Sequence, residues 1–276
     1  SYGMDLRHRG MAIAGWSSTA HAFPDKTTVP TIVNADMELT TGWYYPTNVT
    51  RSATQAHGGT YSLEIATAVI TTGQYIIGWT PGVQYTFKCW VRVANTIANA
   101  HININDGVSV TSSSNVTTAN TWEQLSVTAT LSTSAKYLRL ELYGKGDSAT
   151  SWFDDATITV PSTAGAITYS GVPRAFADFN DDLYYALDTY LIRISNSTGV
   201  SLLVWKYSAN ITDLEVMQIS GTDYLYIALG TSTSYEYIDT TFTTLGSITS
   251  SAVVKTYQFF KLVNSASPTM WGNDGV

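Results

Sequence analysis

An all-β chain, a jelly-roll β-sandwich followed by an incomplete propeller-like or meander β domain, is predicted by three features of the sequence. The 276 residues are rich in Thr, Tyr, Trp and Val and poor in Lys and Glu, a composition that favours strands over helices. Between about residues 31 and 160, apolar and polar residues alternate in short runs broken at intervals by turn clusters. Beyond residue 166, two similar segments recur 42 residues apart.

Taken in order, residues 1–30 read as a leading segment or linker. Met11-Ala-Ile-Ala-Gly-Trp16 suits a short strand, Phe23-Pro24-Asp25-Lys26 to Pro30 is turn chemistry, and Arg7, His8 and Arg9 suit a solvated connector. Residues 31–160 form the sandwich. Its strands are expected at Ser62-Leu-Glu-Ile-Ala66, Gln84 to Val93, Ala100 to Asn105, Glu123 to Leu131, Lys136 to Tyr143 and Trp152 to Ile158. His57-Gly-Gly, Thr80-Pro-Gly, Asn105-Asp-Gly and Tyr143-Gly-Lys-Gly separate them. Pro161-Ser-Thr-Ala-Gly165 opens a linker over 161–166, and 167–276 carries the repeats. There Asp182 to Ile194 recurs from Asp223, with Ala186-Leu187 matching Ala228-Leu229. A third partial copy begins at Pro268-Thr-Met-Trp-Gly-Asn273. A period of ~40–45 residues suits propeller blades, and two copies and a fraction cannot close a ring of ~4–8. A truncated propeller and a short meander both fit, and the chain reads as a piece of something longer.

Alternation assigns faces to the sandwich strands. Tyr85, Phe87, Cys89, Val91 and Val93 point one way, and Thr86, Lys88, Trp90 and Arg92 the other. Ile102 and Ile104 oppose His101, Asn103 and Asn105, while Leu138, Leu140 and Leu142 oppose Tyr137, Arg139, Glu141 and Tyr143. The apolar sets supply a core. The opposite sets mix aromatics with guanidinium, amide and carboxylate groups, more aromatic than a solvated face requires.

Function classes are narrowed by charge and by what the sequence lacks. Lys and Arg number 14 against 21 Asp and Glu, a net charge of −7, which argues against a nucleic-acid partner. No apolar run approaches the ~18 residues of a membrane-spanning helix, so membrane insertion is not expected. The single cysteine, Cys89, allows no internal disulfide and reads as a small buried hydrophobe. The adjacent acid pairs Asp154-Asp155 and Asp181-Asp182 face opposite ways on a strand, and the four histidines are scattered, so no catalytic constellation is read and the segment is not an enzyme.

Asn34-Ala-Asp-Met-Glu38, Gly42-Trp43, His57-Gly-Gly-Thr-Tyr-Ser-Leu63, Pro81 to Arg92, Thr121-Trp-Glu-Gln-Leu-Ser-Val-Thr128 and Phe153-Asp-Asp-Ala-Thr-Ile158 follow one another as six landmarks. In this order they resemble carbohydrate-binding modules of families 4, 9, 16 and 22. Met37 and Cys89 depart from the family pattern without touching its chemistry. The resemblance implies a non-catalytic jelly-roll that holds glycans in a groove on one sheet, and a structural calcium clamping the chain start to the last strand.

A sugar site needs aromatic platforms and side chains that donate and accept hydrogen bonds. Trp90 and Tyr143 are the candidate platforms, with Tyr137 next, and Arg92, His101, Asn103, Arg139 and Glu141 are the candidate partners of hydroxyls. Packing beneath a loop is the competing reading for Trp90. Trp122 reads as structural, and Trp43 and Trp79 either rim a loop-end site or plug the sandwich ends. For calcium, which takes ~6–8 oxygen ligands, Glu38 and Asp154 are the candidate ligands. Parity places Asp154 with Ala156 and Ile158 and Asp155 toward solvent; hydrogen bonds from strand-end amides are the alternative role for both acids.

The expected protein is thus a glycan-binding adhesin-type module of a larger secreted, cell-surface or phage tail/virion protein, its partner a polysaccharide or surface glycan. The alternatives are a structural or decoration subunit of a virion, tail or extracellular filament that contacts other structural subunits, and an accessory module of a polysaccharide-degrading enzyme.

Overall fold

The computed structural model describes residues 19–25, 29–66, 69–95, 99–145, 149–160, 166–230, 234–240, 245–249, 258–261 and 270–273. All the regular elements among them are β-strands. The chain divides into two compact units, Lys26–Gly165 and a second made of Ser1–Asp25 with Ala166–Val276.

In chain order the strands are β1 (Thr19–Asp25), β2 (Val49–Ser52), β3 (Ser62–Ile65), β4 (Val69–Ile76), β5 (Gln84–Val93), β6 (His101–Asn105), β7 (Val110–Ser112), β8 (Glu123–Thr130), β9 (Leu138–Lys145) and β10 (Ser151–Thr159). There follow β11 (Ala166–Gly171), β12 (Pro173–Phe179), β13 (Asp182–Leu187), β14 (Tyr190–Ile194), β15 (Ser201–Lys206) and β16 (Asp213–Ile219). The last are β17 (Thr222–Ala228), β18 (Ser234–Asp239), β19 (Leu245–Thr249), β20 (Gln258–Lys261) and β21 (Met270–Asn273).

Lys26–Gly165 is a sandwich of two antiparallel sheets, one ordered β2-β3-β10-β5-β8 and the other β4-β9-β6-β7. Its core follows from the alternation. Leu63, Ile65, Phe87, Cys89, Val91 and Phe153 face inward from the five-stranded sheet, and Ile102, Ile104, Leu138, Leu140 and Leu142 from the four-stranded sheet, all essentially inaccessible. Gly144 is needed here, because a Cβ on it would meet Ile65 Cγ2 at 2.7 Å. Trp43 and Trp79 are buried at 2% and 1% exposure, and Trp43 Nε1 donates to Asn34 O at 2.9 Å, so of the two readings they take the plug.

Strand β4 was not expected from its sequence. Its buried inward positions are the polar Thr72 and Gln74, with Ile76 the apolar one at the strand's end. Gln74 Nε2 donates to Val33 O, Gln74 Oε1 accepts from Val33 N at 2.8 Å, and Thr72 Oγ1 donates to Tyr44 O. These bonds fasten the 33–44 loop and satisfy polar groups that would otherwise be costly to bury.

In the second unit β12-β13-β14-β15 and β16-β17-β18-β19 are successive four-stranded antiparallel meanders, the two sequence repeats. Their first strands lie side by side, β12 against β16 and β16 against β20, as in blades arranged about an axis. The hairpin β20-β21 covers the end of the third partial copy, Met270–Asn273; Pro268 and Thr269 lie outside the described residues. Residues Thr19–Asp25, read from sequence within the leading segment, pair with β11 as β1. The short strand expected at Met11–Trp16 lies outside the described residues.

Candidate functional site

The eight candidate glycan-binding residues divide between the two outer faces of the sandwich. Trp90 and Arg92 stand on β5 in the five-stranded sheet, whereas His101, Asn103, Tyr137, Arg139, Glu141 and Tyr143 stand on or beside β6 and β9 in the four-stranded sheet. The single shared wall expected from alternation is therefore corrected to two walls. Alternation tells which residues leave the core; it does not tell which sheet a strand joins.

On the four-stranded face the ladder sets three rows. Thr71, Tyr143 and His101 stand opposite one another, then Gly73, Glu141 and Asn103, then Tyr75, Arg139 and Asn105. His101 stacks on Tyr143 with ring centroids 4.3 Å apart. At the other end Tyr75 and Tyr137 meet edge to face at 5.2 Å, and the Arg139 guanidinium lies 5.2 Å from the Tyr75 ring centroid. Between these aromatic ends, Glu141 accepts from Arg139 Nη1 at 3.1 Å, Asn105 Nδ2 at 2.9 Å and Asn103 Nδ2 at 3.3 Å. Burial raises the phenol pKa values of Tyr75 and Tyr137, keeping both hydroxyls protonated at neutral pH.

Two buried polar atoms in this network have no hydrogen-bond partner, the acceptor Asn103 Oδ1 and the donor Arg139 Nε. Asn103 is 6% exposed, so its free carbonyl is a cost unless something supplies a donor. Tyr75, Asn105 and Gly73 belong to this face and were not among the expected site residues. Gly73 carries a readable signal, since an isolated glycine in a strand marks a close approach. A Cβ there would meet Leu140 O at 2.4 Å and Arg139 Nε at 3.1 Å.

The other face is organised differently. His57 covers Trp90 with ring centroids 4.0 Å apart and an interplanar angle of 14°, and meets Trp122 edge-on at 5.6 Å. His57 Nδ1 lies 2.6 Å from Asp155 Oδ2. Trp90 thus packs beneath the 57–61 loop, the competing reading given above. Arg92 Nη1 donates to Asn120 O, and its Nε has no partner.

That loop is held by the two candidate metal ligands. Glu38 Oε1 accepts from Thr60 N at 2.7 Å and Tyr61 N at 2.9 Å. Asp154 Oδ2 accepts from His57 N at 2.8 Å and Gly58 N at 3.2 Å, and Oδ1 from Asp155 N at 2.8 Å. Both acids thus take the alternative role given above, accepting hydrogen bonds from backbone amides; calcium, which also draws on backbone carbonyls, is left for chelation to test. The parity assignment of Asp154 is corrected as well. Asp155 has φ of 47° and the β10–β5 register shifts between Asp154 and Thr157, so Asp154 stands opposite Trp90 and not with Ala156 and Ile158. Burial raises the Asp154 carboxyl to about 6 against the amides of His57, Asp155 and Gly58, which favour its ionised form.

No family model and no curated protein matches the chain. Among solved structures, it is similar to a "Family 16 Carbohydrate Binding Module-2" at 18% identity over 46% of this chain and 98% of that one, with a TM-score of 0.39. It is similar to the C-terminal family 22 carbohydrate-binding module of Clostridium thermocellum Xyn10B at 18% identity, over 49% and 93% of the two chains, with a TM-score of 0.36. It is also similar to the enzymatically active domain of bacteriophage CBA120 tailspike protein 4 at 14% identity, over 48% of this chain and 21% of that one, with a TM-score of 0.37.

Proposed function

We propose that the outer face of the four-stranded sheet binds a neutral glycan, and that the chain is a non-catalytic carbohydrate-binding module of a larger secreted, cell-surface or phage tail protein. Sugars present flat C–H faces and hydroxyls that donate and accept at once. The face offers the matching set: aromatic rings at both ends and amides, a guanidinium and a carboxylate between them. Arg139 and Glu141 neutralise one another at 3.1 Å, so the centre has no net charge with which to hold an ionic sugar.

The observation that carries this reading is the pair of aromatic stations, His101 with Tyr143 and Tyr75 with Tyr137, at the two ends of a polar centre built on Glu141. Rings suit the C–H faces of a sugar, and amides and a guanidinium suit its hydroxyls. Affinity electrophoresis of the full chain through gels containing neutral polysaccharides tests it. Retardation by at least one polysaccharide, lost on Asn103→Ala with the melting transition still cooperative, supports the site. Free migration of the unaltered chain in every gel overturns it.

A further inference from the structure

We propose that Asn105 and Gly107, at the turn between β6 and β7, are positioning residues that hold the Tyr137 ring in the pose the glycan meets. The proposal rests on the glycan-binding reading and adds to it how one aromatic station is built.

The sequence marks Asn105-Asp106-Gly107 only as a separator between strands. In the fold Gly107 has φ of 77°, and a Cβ placed on it would come 2.8 Å from Tyr137 Cε1, 3.1 Å from Tyr137 Cζ and 3.0 Å from Lys136 Cβ. The Tyr137 ring therefore rests directly on the Gly107 main chain, a contact that only glycine permits. Tyr75 meets the same ring edge to face at 5.2 Å. The seat is itself tied down, because Gly107 N donates to Asn105 Oδ1 at 2.9 Å. Asn105 Nδ2 donates to Glu141 Oε1, also at 2.9 Å. One side-chain amide thus links the polar centre of the face to the seat of the ring. The main chain adds a second hold, since Lys136 N donates to Asp106 O at 2.8 Å immediately before Tyr137.

Neither residue has to touch the glycan. Asn105 turns its Oδ1 and Nδ2 to partners within the protein, and Gly107 has no side chain. Their effect is to settle the ring before the ligand arrives. A tyrosine free to change rotamer loses that freedom on binding and so weakens it, whereas a ring already seated does not.

The test uses full-length chains carrying Gly107→Ala or Asn105→Ala, each made with and without Tyr137→Ala, and each checked for a cooperative melting transition. Asn105→Ala needs no positive φ, so it keeps the test open should Gly107→Ala not fold. Two readouts are taken. One is the through-space NMR cross-peaks between the Tyr75 and Tyr137 rings, assigned with Tyr75→Phe and Tyr137→Phe. The other is affinity for the neutral polysaccharide that most retards the unaltered chain. Each variant is expected to lose the cross-peaks and to bind at least about fivefold more weakly. In the Tyr137→Ala background neither should cost more than about twofold further, because the ring through which both act is gone. Unchanged cross-peaks, unchanged affinity, or an equal loss in both backgrounds overturns the positioning role and leaves glycan binding standing. An unaltered chain that no neutral polysaccharide retards overturns the glycan reading and this role with it.

Discussion

Asn103 donates through Nδ2 to Glu141 Oε2 at 3.3 Å across the β6–β9 ladder, while its own Oδ1 is buried without a partner. Glu141 is the hub of this face, 5% exposed and bonded to Arg139, Asn103 and Asn105. Glu141→Ala leaves a guanidinium without its carboxylate and two amides without an acceptor. A loss of ~2–4 kcal/mol in urea unfolding is expected, with glycan retention lost alongside. Glu141→Gln should cost less, since its Oε1 can still accept.

Asp106 is a separate anchor, in the turn between β6 and β7, and it holds the segment that leads into Tyr137. Its carboxylate accepts from Val108 N, Ser109 N and Ser132 N at 2.7 to 2.8 Å, and Asp106 O accepts from Lys136 N. Burial alone would raise its pKa, but the amides of Ser132, Ser109 and Val108 together hold it below the ordinary 3.8. The folded state therefore favours the ionised form. The stabilisation is present above the unfolded value and is lost as pH falls through the lower folded one. Asp106→Ala should cost about 3 kcal/mol at neutral pH and weaken the fall in melting temperature below about pH 4.

Asp154 has the opposite sign. Its carboxyl, raised to about 6, holds a proton more tightly in the folded state than in the unfolded chain. Its contribution is full below the unfolded value and lost as pH rises through about 6. Melting curves of the unaltered chain and of Asp154→Asn between about pH 5 and 7 should differ in slope, the unaltered chain losing more stability as pH rises.

If Glu38 and Asp154 fasten the 57–61 loop by hydrogen bonds alone, chelation leaves the melting temperature unchanged. Glu38→Ala, by contrast, frees the amides of Thr60 and Tyr61 and should lower the melting temperature. A fall of several degrees on adding chelator would place calcium at this end of the sandwich.

Trp90 offers a contrast between the two faces. Stacked beneath His57, it is expected to act in packing, and Trp90→Ala should cost ~2–3 kcal/mol, less than a full core deletion because it is only partly buried. Glycan retention should survive in the fraction that remains folded.

The sandwich was legible because its inward residues obey a period of two. Phe87, Cys89 and Val91, like Leu138, Leu140 and Leu142, are buried where alternation places them. Strand β4 broke that pattern by turning Thr72 and Gln74 inward, and Tyr75 was missed with it. The Asp155 bulge broke it again and moved Asp154 to the other side. Sheet membership was the larger gap. Trp90 on β5 and Tyr143 on β9 both leave the core, yet long-range pairing sends them to opposite walls, and no local pattern encodes that pairing.

The two walls can be set against each other in one titration, using the neutral polysaccharide that most retards the unaltered chain and three full-length chains. The chain carrying His101→Ala and Tyr143→Ala should lose affinity at least about tenfold, while the chain carrying Trp90→Ala and Arg92→Ala should bind as the unaltered chain does. Loss of binding in the second chain with retention in the first would place the sugar on the five-stranded sheet and contradict the assignment made here.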